Sequence, residues 1–322
     1  GAGVSGDRLG AGYLALAASG ELARRAAALE ALLRDCTLCP RRCRVDRRRE
    51  LGSCATGVDP VVAAFHPHFG EERVISGRHG SGTVFLANCN LACVFCQNHE
   101  ISQRPAAFRR AAMPTAELAR AFLALQAQGC HNLNWVSPTH QVPALVRALA
   151  LAAEQGLGIP VVYNTNGYDS VEVLRLLDGI VDVYMPDLKY SDPEVGRELS
   201  GVADYPQRVR EALTEIFRQV GDDWVLGPDG ELRRGLLVRI LVLPGGLAGV
   251  EESLRWLAGS LSPRIAVSLL AQYRPAHRVS ASSFPALARS LSGHEWQSAA
   301  AALRRLMRGD RHQVQGPPRF AP

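Results

Sequence analysis

From residue 83 onward the chain repeats one unit: a short apolar run, a polar turn, then a stretch with helical spacing. The apolar runs stand at residues 83–87, 132–136, 160–164, 181–185, 236–243 and 265–270. Between them, residues 115–128, 144–154, 170–177, 207–220 and 250–257 carry helical periodicity, with Thr115 and Ser170 placed as N-caps. Parallel neighbours need a long crossover, which a helix supplies. Six runs alternating with helices therefore predict parallel βα units. Residues 224–226 and 231–232, around Gly227-Pro228-Asp229-Gly230, predict a small hairpin.

The flanks read differently. Residues 7–34 read as helical, with Leu9, Leu14, Leu16, Leu22, Leu29, Leu32 and Leu33 as apolar positions and Ser19-Gly20 as a break. Residues 35–82 read as irregular, rich in Cys, Arg, Gly and Pro. The tail predicts helices near 283–292 and 295–307 and a loose end at Gln315-Gly316-Pro317-Pro318. No repeat of fixed period is present. The expected division is a helical segment at 1–35, a Cys-rich metal region at 36–82, a strand–helix body at 83–280, and C-terminal helices with a tail at 281–322.

With 47% hydrophobic residues in 322, a large core is expected. No apolar run reaches the roughly 18–20 residues of a membrane span, so no membrane role is expected. Gly1-Ala2-Gly3-Val4-Ser5-Gly6 does not read as a secretory signal. The eight cysteines are then expected to be reduced, in a cytoplasmic protein, and clustered ones read as metal or redox sites. The net charge of +5 is modest. Its most local expression is Arg41, Arg42, Arg44, Arg47, Arg48 and Arg49. No aromatic residue interleaves with them, so nucleic acid is not favoured. They read as a solvated basic loop beside an anionic metal site.

In parallel barrels chemistry collects beyond the C-terminal ends of the strands. After the first strand come Cys89, Cys93 and Cys96; after the second, Ser137-Pro138-Thr139-His140; after the third, Asn164-Thr165-Asn166-Gly167-Tyr168. The fourth leads into Met185-Pro186-Asp187-Leu188-Lys189-Tyr190. The fifth carries Arg239, and the sixth ends in Gln272-Tyr273-Arg274-Pro275. Lys189 is the only lysine among 36 basic residues. In so arginine-rich a chain, that points to a need for a compact ammonium rather than a planar fork.

Thiolates are soft ligands that commonly hold iron–sulfur clusters. Three cysteines in C-x3-C-x2-C spacing can hold three irons of a cube and leave the fourth open to a small molecule. Zinc is the alternative. It wants four closed ligands, and His99 is the nearby candidate for the fourth. The spacing, with Phe95 before the third cysteine, resembles the radical S-adenosylmethionine (SAM) superfamily. The resemblance implies an α/β fold: a partial (β/α)6 TIM-like barrel of the radical SAM type, with an N-terminal helical and Cys-rich extension. It also implies a [4Fe-4S] cluster and SAM as cofactors.

Residues 36–280 further resemble the pyruvate formate-lyase-activating-enzyme-like group. The resemblance rests on Cys36-Thr-Leu-Cys39-Pro40, Gly80-Ser-Gly-Thr83, residues 89–98, Pro138-Thr-His140, Tyr163-Asn164-Thr165, Asp187-Leu-Lys189-Tyr190 and Gln272-Tyr-Arg-Pro275. It implies that Pro138, Thr139 and His140 flank the SAM amine, in place of the usual Gly-Gly-Glu run. Asp187 and Lys189 would hold its ribose and carboxylate, Arg239 would pair with the carboxylate, and Asn166 belongs to the cofactor-binding Thr-Asn-Gly run. A monovalent cation site at Asn164, Met185 and Asp187 is implied with one charge missing, because relatives carry Asp where Asn164 stands. Ile240 stands where relatives often carry His. Tyr273 and Arg274 are catalytic candidates at the barrel mouth, with packing of the last strand as the plainer alternative.

Cys36-x2-Cys39-x3-Cys43-x10-Cys54 forms a second cysteine set. Four cysteines in nineteen residues suit a closed metal site, either an auxiliary [4Fe-4S] cluster or zinc. Cys130 reads as a core residue, and His66 and His68 as loop histidines. The favoured function is hydrogen abstraction by a 5′-deoxyadenosyl radical from a small-molecule substrate, such as a sugar, nucleoside or natural-product intermediate. The auxiliary cluster would relay electrons or donate sulfur. The basic loop would dock an acidic electron donor such as flavodoxin or ferredoxin. The alternatives are an activase of a partner glycyl radical enzyme and a non-catalytic zinc scaffold or electron carrier.

Overall fold

The computed structural model describes residues 10–316. Its strands are β1 (Val62–His68), β2 (Ser81–Leu86), β3 (Leu133–Val136), β4 (Val161–Thr165), β5 (Val183–Pro186), β6 (Val225–Leu226), β7 (Leu232–Leu241), β8 (Ala266–Leu270) and β9 (Gln313–Gln315). They form one sheet in the order β1-β2-β3-β4-β5-β7-β8-β9, with β6 paired to β7 as the expected hairpin. All neighbours from β2 to β9 along this path are parallel, while β1 runs antiparallel to β2. The six expected runs are β2, β3, β4, β5, β7 and β8. The path stays open between β1 and β9, as in a partial TIM-like barrel of the radical SAM type.

Side chains alternate between the two faces of each strand. Val84, Trp135, Tyr163, Tyr184, Leu236, Val238 and Val267 face the helices and join the main core. Val162, Val183, Met185, Leu237 and Ala266 form a separate inner cluster with Ile75. Two residues further along the strands, on the same inner face, stand Asn164, Asp187, Arg239 and Ser268. The interior thus has an apolar layer and a polar layer above it.

Several expectations need correction. Residues 35–82 are not irregular throughout, since they contain β1 and the short helix Arg73–Ser76. β1 escaped notice because Pro67 and two histidines break its apolar pattern; an edge strand tolerates them. Residues 283–292 hold only the single turn Pro285–Leu287. There Ser280 accepts from the Ser283 amide (3.2 Å), a local bond that competes with helix. The helix Gly293–Leu306 starts from a Ser292–Glu295 capping box. Thr115 is the first residue of its helix, with Pro114 at the cap position, and Ser170 caps without a side-chain bond. A helix at Pro193–Ser200, capped by Asp192, adds to the expected set. The N-terminal helical stretch is two helices, Tyr13–Ala18 and Glu21–Ala31, parted at Gly20. Gln315 belongs to β9, not to a loose end; residues 1–9, Pro317 and Pro318 lie outside the described residues.

Gly167 fastens the end of β4. Its φ is +85°, and a Cβ there would collide with the Asp187 carbonyl and stand 2.7 Å from Val209. Gly167→Ala should destabilise the protein by about 2–4 kcal/mol, from left-handed strain plus overpacking. Denaturant unfolding measures it, and a loss below about 0.5 kcal/mol, the range of an ordinary surface change, would contradict this reading.

Candidate active site and cysteine centres

The loop after β2 carries Cys89, Cys93 and Cys96, with Cys93 buried and the other two partly so. Each sulfur has a polar neighbour. Cys89 Sγ accepts from the Leu91 amide (3.4 Å) and Asn166 Nδ2 (3.4 Å). Cys93 Sγ lies 2.9 Å from Ser200 Oγ, which meets the Tyr190 hydroxyl at 2.6 Å. Cys96 Sγ lies 3.2 Å from Ser102 Oγ. Burial pushes the Cys89 thiol up to about 11 and raises Cys93 as well. The surrounding donors work the other way and suit thiolate ligands. Phe95 packs between Tyr190 and Tyr273, with ring centroids 6.4 and 6.1 Å away, and keeps this loop dry.

The segment after β8 straps down over the loop. Gln97 bonds the Gln272 carbonyl (3.1 Å), and Arg278 bonds the carbonyls of Ala92 (2.7 Å) and Val94 (3.0 Å). Within it the Tyr273 hydroxyl donates to the Leu287 carbonyl (2.6 Å) and Arg274 is exposed. The structure therefore gives Tyr273 a packing place beside Phe95.

At the end of β5, Lys189 Nζ donates to Asp187 Oδ2 (2.7 Å). Burial alone would lower the Lys189 ammonium. The Asp187 carboxylate and the Cys93 sulfur outweigh it and hold the group well above its ordinary value. Tyr205 ties this turn to the Thr-Asn-Gly run, donating to the carbonyls of Asn166 (2.7 Å) and Asp187 (3.0 Å). Asn166, Asp187, Lys189 and Cys93 thus converge on one rim. Arg239 points into the polar layer, 3.4 Å from Glu71 and 3.3 Å from Glu72. Asn134 and Asn164 both donate to Glu71 (3.4 Å), and Ser268 donates to Glu72 (2.6 Å). Met185, the expected cation ligand, lies in the apolar inner cluster. Glu71 and Glu72 were not legible as site residues, because they follow a loop outside the repeating units.

In the 138–140 segment, Thr139 Oγ1 donates to buried Asp169 (2.8 Å), which also receives Tyr163 (3.0 Å) and Thr165 (2.5 Å). His140 is buried, and its Nε2 bonds the Ala87 carbonyl (2.8 Å). A carbonyl only accepts, so Nε2 carries the proton and Nδ1 bears the lone pair. Burial and the nearby Arg47 guanidinium bring His140 down to about 4.

His140 does not stand by the 89–96 loop alone. It lines a small cavity together with Cys36, Cys39, Cys43, Cys54, Arg41, Arg47 and Asn90. The structure thus brings all four N-terminal cysteines together. Arg47 is buried, not solvated as expected. Its Nε and Nη2 bond the carbonyls of Thr56 (2.9 Å) and Gly57 (2.6 Å), while Nη1 has no partner. His140 Nδ1 is likewise buried and unpartnered. A buried, unpartnered guanidinium N–H on a residue that lines the four-cysteine cavity suits an anionic guest. Among the described residues, His131, Asp229 and Glu231 bring ligand atoms within 4.8 Å of one another. That trio is internally satisfied: His131 Nε2 accepts from the His79 amide, and Glu231 is held by Arg233 and the Asp229 amide.

A radical SAM domain, here a parallel open barrel with three cysteines beyond its first parallel strand, implies an enzyme that uses SAM radical chemistry at a [4Fe-4S] cluster. Residues 83–228 match the family model of the radical SAM superfamily, so the chain carries a domain of that superfamily. It is similar to an uncharacterized protein of Methanocaldococcus jannaschii, 30% identical over 277 residues that cover 83% of this chain and 74% of that one. Among solved structures it is similar to HydG, a maturase of the [FeFe]-hydrogenase, at TM-score 0.45 and 16% identity. That match covers 68% of this chain and 47% of HydG, so the chain spans about half the length of that protein. No helix of the described residues is long and apolar enough to cross a membrane.

If Lys189 meets the cofactor, Lys189→Met should weaken SAM binding by about 1.5–3 kcal/mol, the worth of a hydrogen bond to a charged group. Lys189→Arg should recover only part, since a fork replaces a point charge. Equilibrium binding under anaerobic conditions checks this; equal affinity in all three proteins would place Lys189 outside the cofactor site.

Proposed function

We propose that this enzyme abstracts hydrogen from a small polar molecule held in the inner polar layer, using a cluster at Cys89, Cys93 and Cys96 and an auxiliary [4Fe-4S] cluster at Cys36, Cys39, Cys43 and Cys54. The observation that carries the substrate class is the set Glu71, Glu72, Asn134, Asn164, Arg239 and Ser268, gathered on the inner face upstream of the 89–96 loop. When bound, the cluster and SAM supply one-electron cleavage of a C–S bond, giving methionine and a 5′-deoxyadenosyl radical. The chain's residues orient and enclose. Lys189, Asp187 and Asn166 would hold the cofactor's polar groups on the rim. Phe95, Tyr273 and the strap exclude water, which protects a reactive intermediate from side reactions. Arg239, between two carboxylates, would exchange one of them for an anionic group of cofactor or substrate.

The unpartnered Arg47 Nη1 supports an anionic, thiolate-bound guest at the second site, which an auxiliary iron–sulfur cluster would be. Around that site Arg42, Arg44, Arg48 and Arg49 are exposed. They would offer a basic face to an acidic one-electron donor.

Changing Cys89, Cys93 and Cys96 together to Ala should abolish 5′-deoxyadenosine formation under dithionite. Undiminished cleavage in that variant would end the proposal. Changing the four N-terminal cysteines to Ala should instead remove about four irons, one cluster's complement, and leave SAM cleavage in place. Zinc in the metal count would refute the auxiliary cluster. Turnover driven by flavodoxin or ferredoxin should fall steeply with salt, because exposed charges are screened beyond roughly 8 Å at physiological ionic strength. Turnover driven by dithionite should fall much less, and equal sensitivity would argue against basic-loop docking.

A further inference from the structure

The two cysteine centres share a wall. Asn90 directly follows Cys89 and also lines the cavity of Cys36, Cys39, Cys43 and Cys54. Its side chain is held from both sides. Asn166 Nδ2 donates to Asn90 Oδ1 (2.7 Å) and to Cys89 Sγ (3.4 Å). Asn90 Nδ2 donates to the Tyr168 carbonyl (2.9 Å). The Asn90 carbonyl accepts from Arg41 Nε, which reaches in from the N-terminal loop. Cys89 Sγ lies 3.9 Å from Asn90 Oδ1. On the far side Asn90 lines the same cavity as Cys39. Asn90 is 2% exposed, so solvent does not enter between the two sets. Asn90 thus stands between Cys89 Sγ and the four-cysteine cavity.

We propose that the two centres are immediate neighbours across Asn90, and that Asn90 is the positioning residue through which one electron crosses from the N-terminal centre to the centre in the 89–96 loop. This rests on the reading that both sets hold iron–sulfur clusters. The balance is simple. A one-electron reductant, dithionite or a low-potential flavin or iron–sulfur protein, reduces the N-terminal centre by one electron. The crossing reoxidises that centre and reduces the other by one. No atom moves and no bond is made or broken in the crossing. A rigid carboxamide fixed by Asn166, Tyr168 and Arg41 keeps the gap constant, which a relay needs and a sacrificial sulfur source does not.

The test uses the full chain, reconstituted anaerobically, counted for iron, and reduced with dithionite without SAM. About eight irons per chain are expected for two cubes. The electron paramagnetic resonance spectrum should be broadened and split by two interacting spins. It should collapse to one narrow signal in Cys36→Ala/Cys39→Ala, which keeps the 89–96 loop intact. Full iron with two non-interacting signals would overturn the proposal while leaving the two-cluster reading in place. A count of about four irons would overturn both. For Asn90 itself, SAM is added to the reduced protein and reoxidation of the N-terminal centre is followed by freeze-quench. At equal iron content Asn90→Ala should slow it several-fold and Asn90→Gln should restore part of the rate. An unchanged rate in Asn90→Ala would remove Asn90 from the path.

Discussion

The parallel hydrogen-bond ladder from β2 to β9 is the constraint on which the rest depends. Because β2, β3, β4, β5, β7 and β8 all point the same way, their C-terminal ends share one rim. Cys89, Asn166, Asp187 and Lys189 meet there although they lie up to a hundred residues apart in the chain. The ladder's two-residue period then sorts what lies inside. Val162, Val183 and Leu237 make a dry layer, and Asn164, Asp187 and Arg239 follow it on the same face.

Charge is the second organising element. Arg239 sits between Glu71 and Glu72 in a largely buried setting, one guanidinium against two carboxylates. Burial raises Glu71, and the guanidinium opposes the shift. Such a group of buried ions is costly to desolvate and adds little to stability by itself. Its position, inside the barrel and beside the rim, is where the proposed polar substrate would be held. Lys189 follows the same logic on the rim, where Asp187 and Cys93 keep its ammonium charged against burial.

The N-terminal extension is not a separate appendage in its contacts. Arg41 bonds Asn90, His140 from the β3 rim lines the four-cysteine cavity, and Arg47 is buried against the carbonyls of Thr56 and Gly57. Asn90 lines the four-cysteine cavity beside Cys89, and Asn166 holds its side chain. An amide side chain suits such a position because it donates and accepts at once and carries no charge to desolvate.

The sequence by itself determined the strand–helix alternation, the six parallel strands within a few residues, and both cysteine spacings. Those properties are local: periodicity, ligand spacing and turn chemistry are written in consecutive residues. β1 was hidden because Pro67 and its histidines disguise an edge strand, and residues 283–292 misled because serine hydroxyls capture the backbone. Only the tertiary structure decided that Glu71 and Glu72 reach the barrel interior, that Tyr273 spends its hydroxyl on Leu287, and that His140 and Asn90 face the second cysteine set. Those facts depend on where a loop closes against strands distant in the chain. Such closure is set by packing and hydrogen bonding over separations from 14 to 196 residues, which no local pattern encodes.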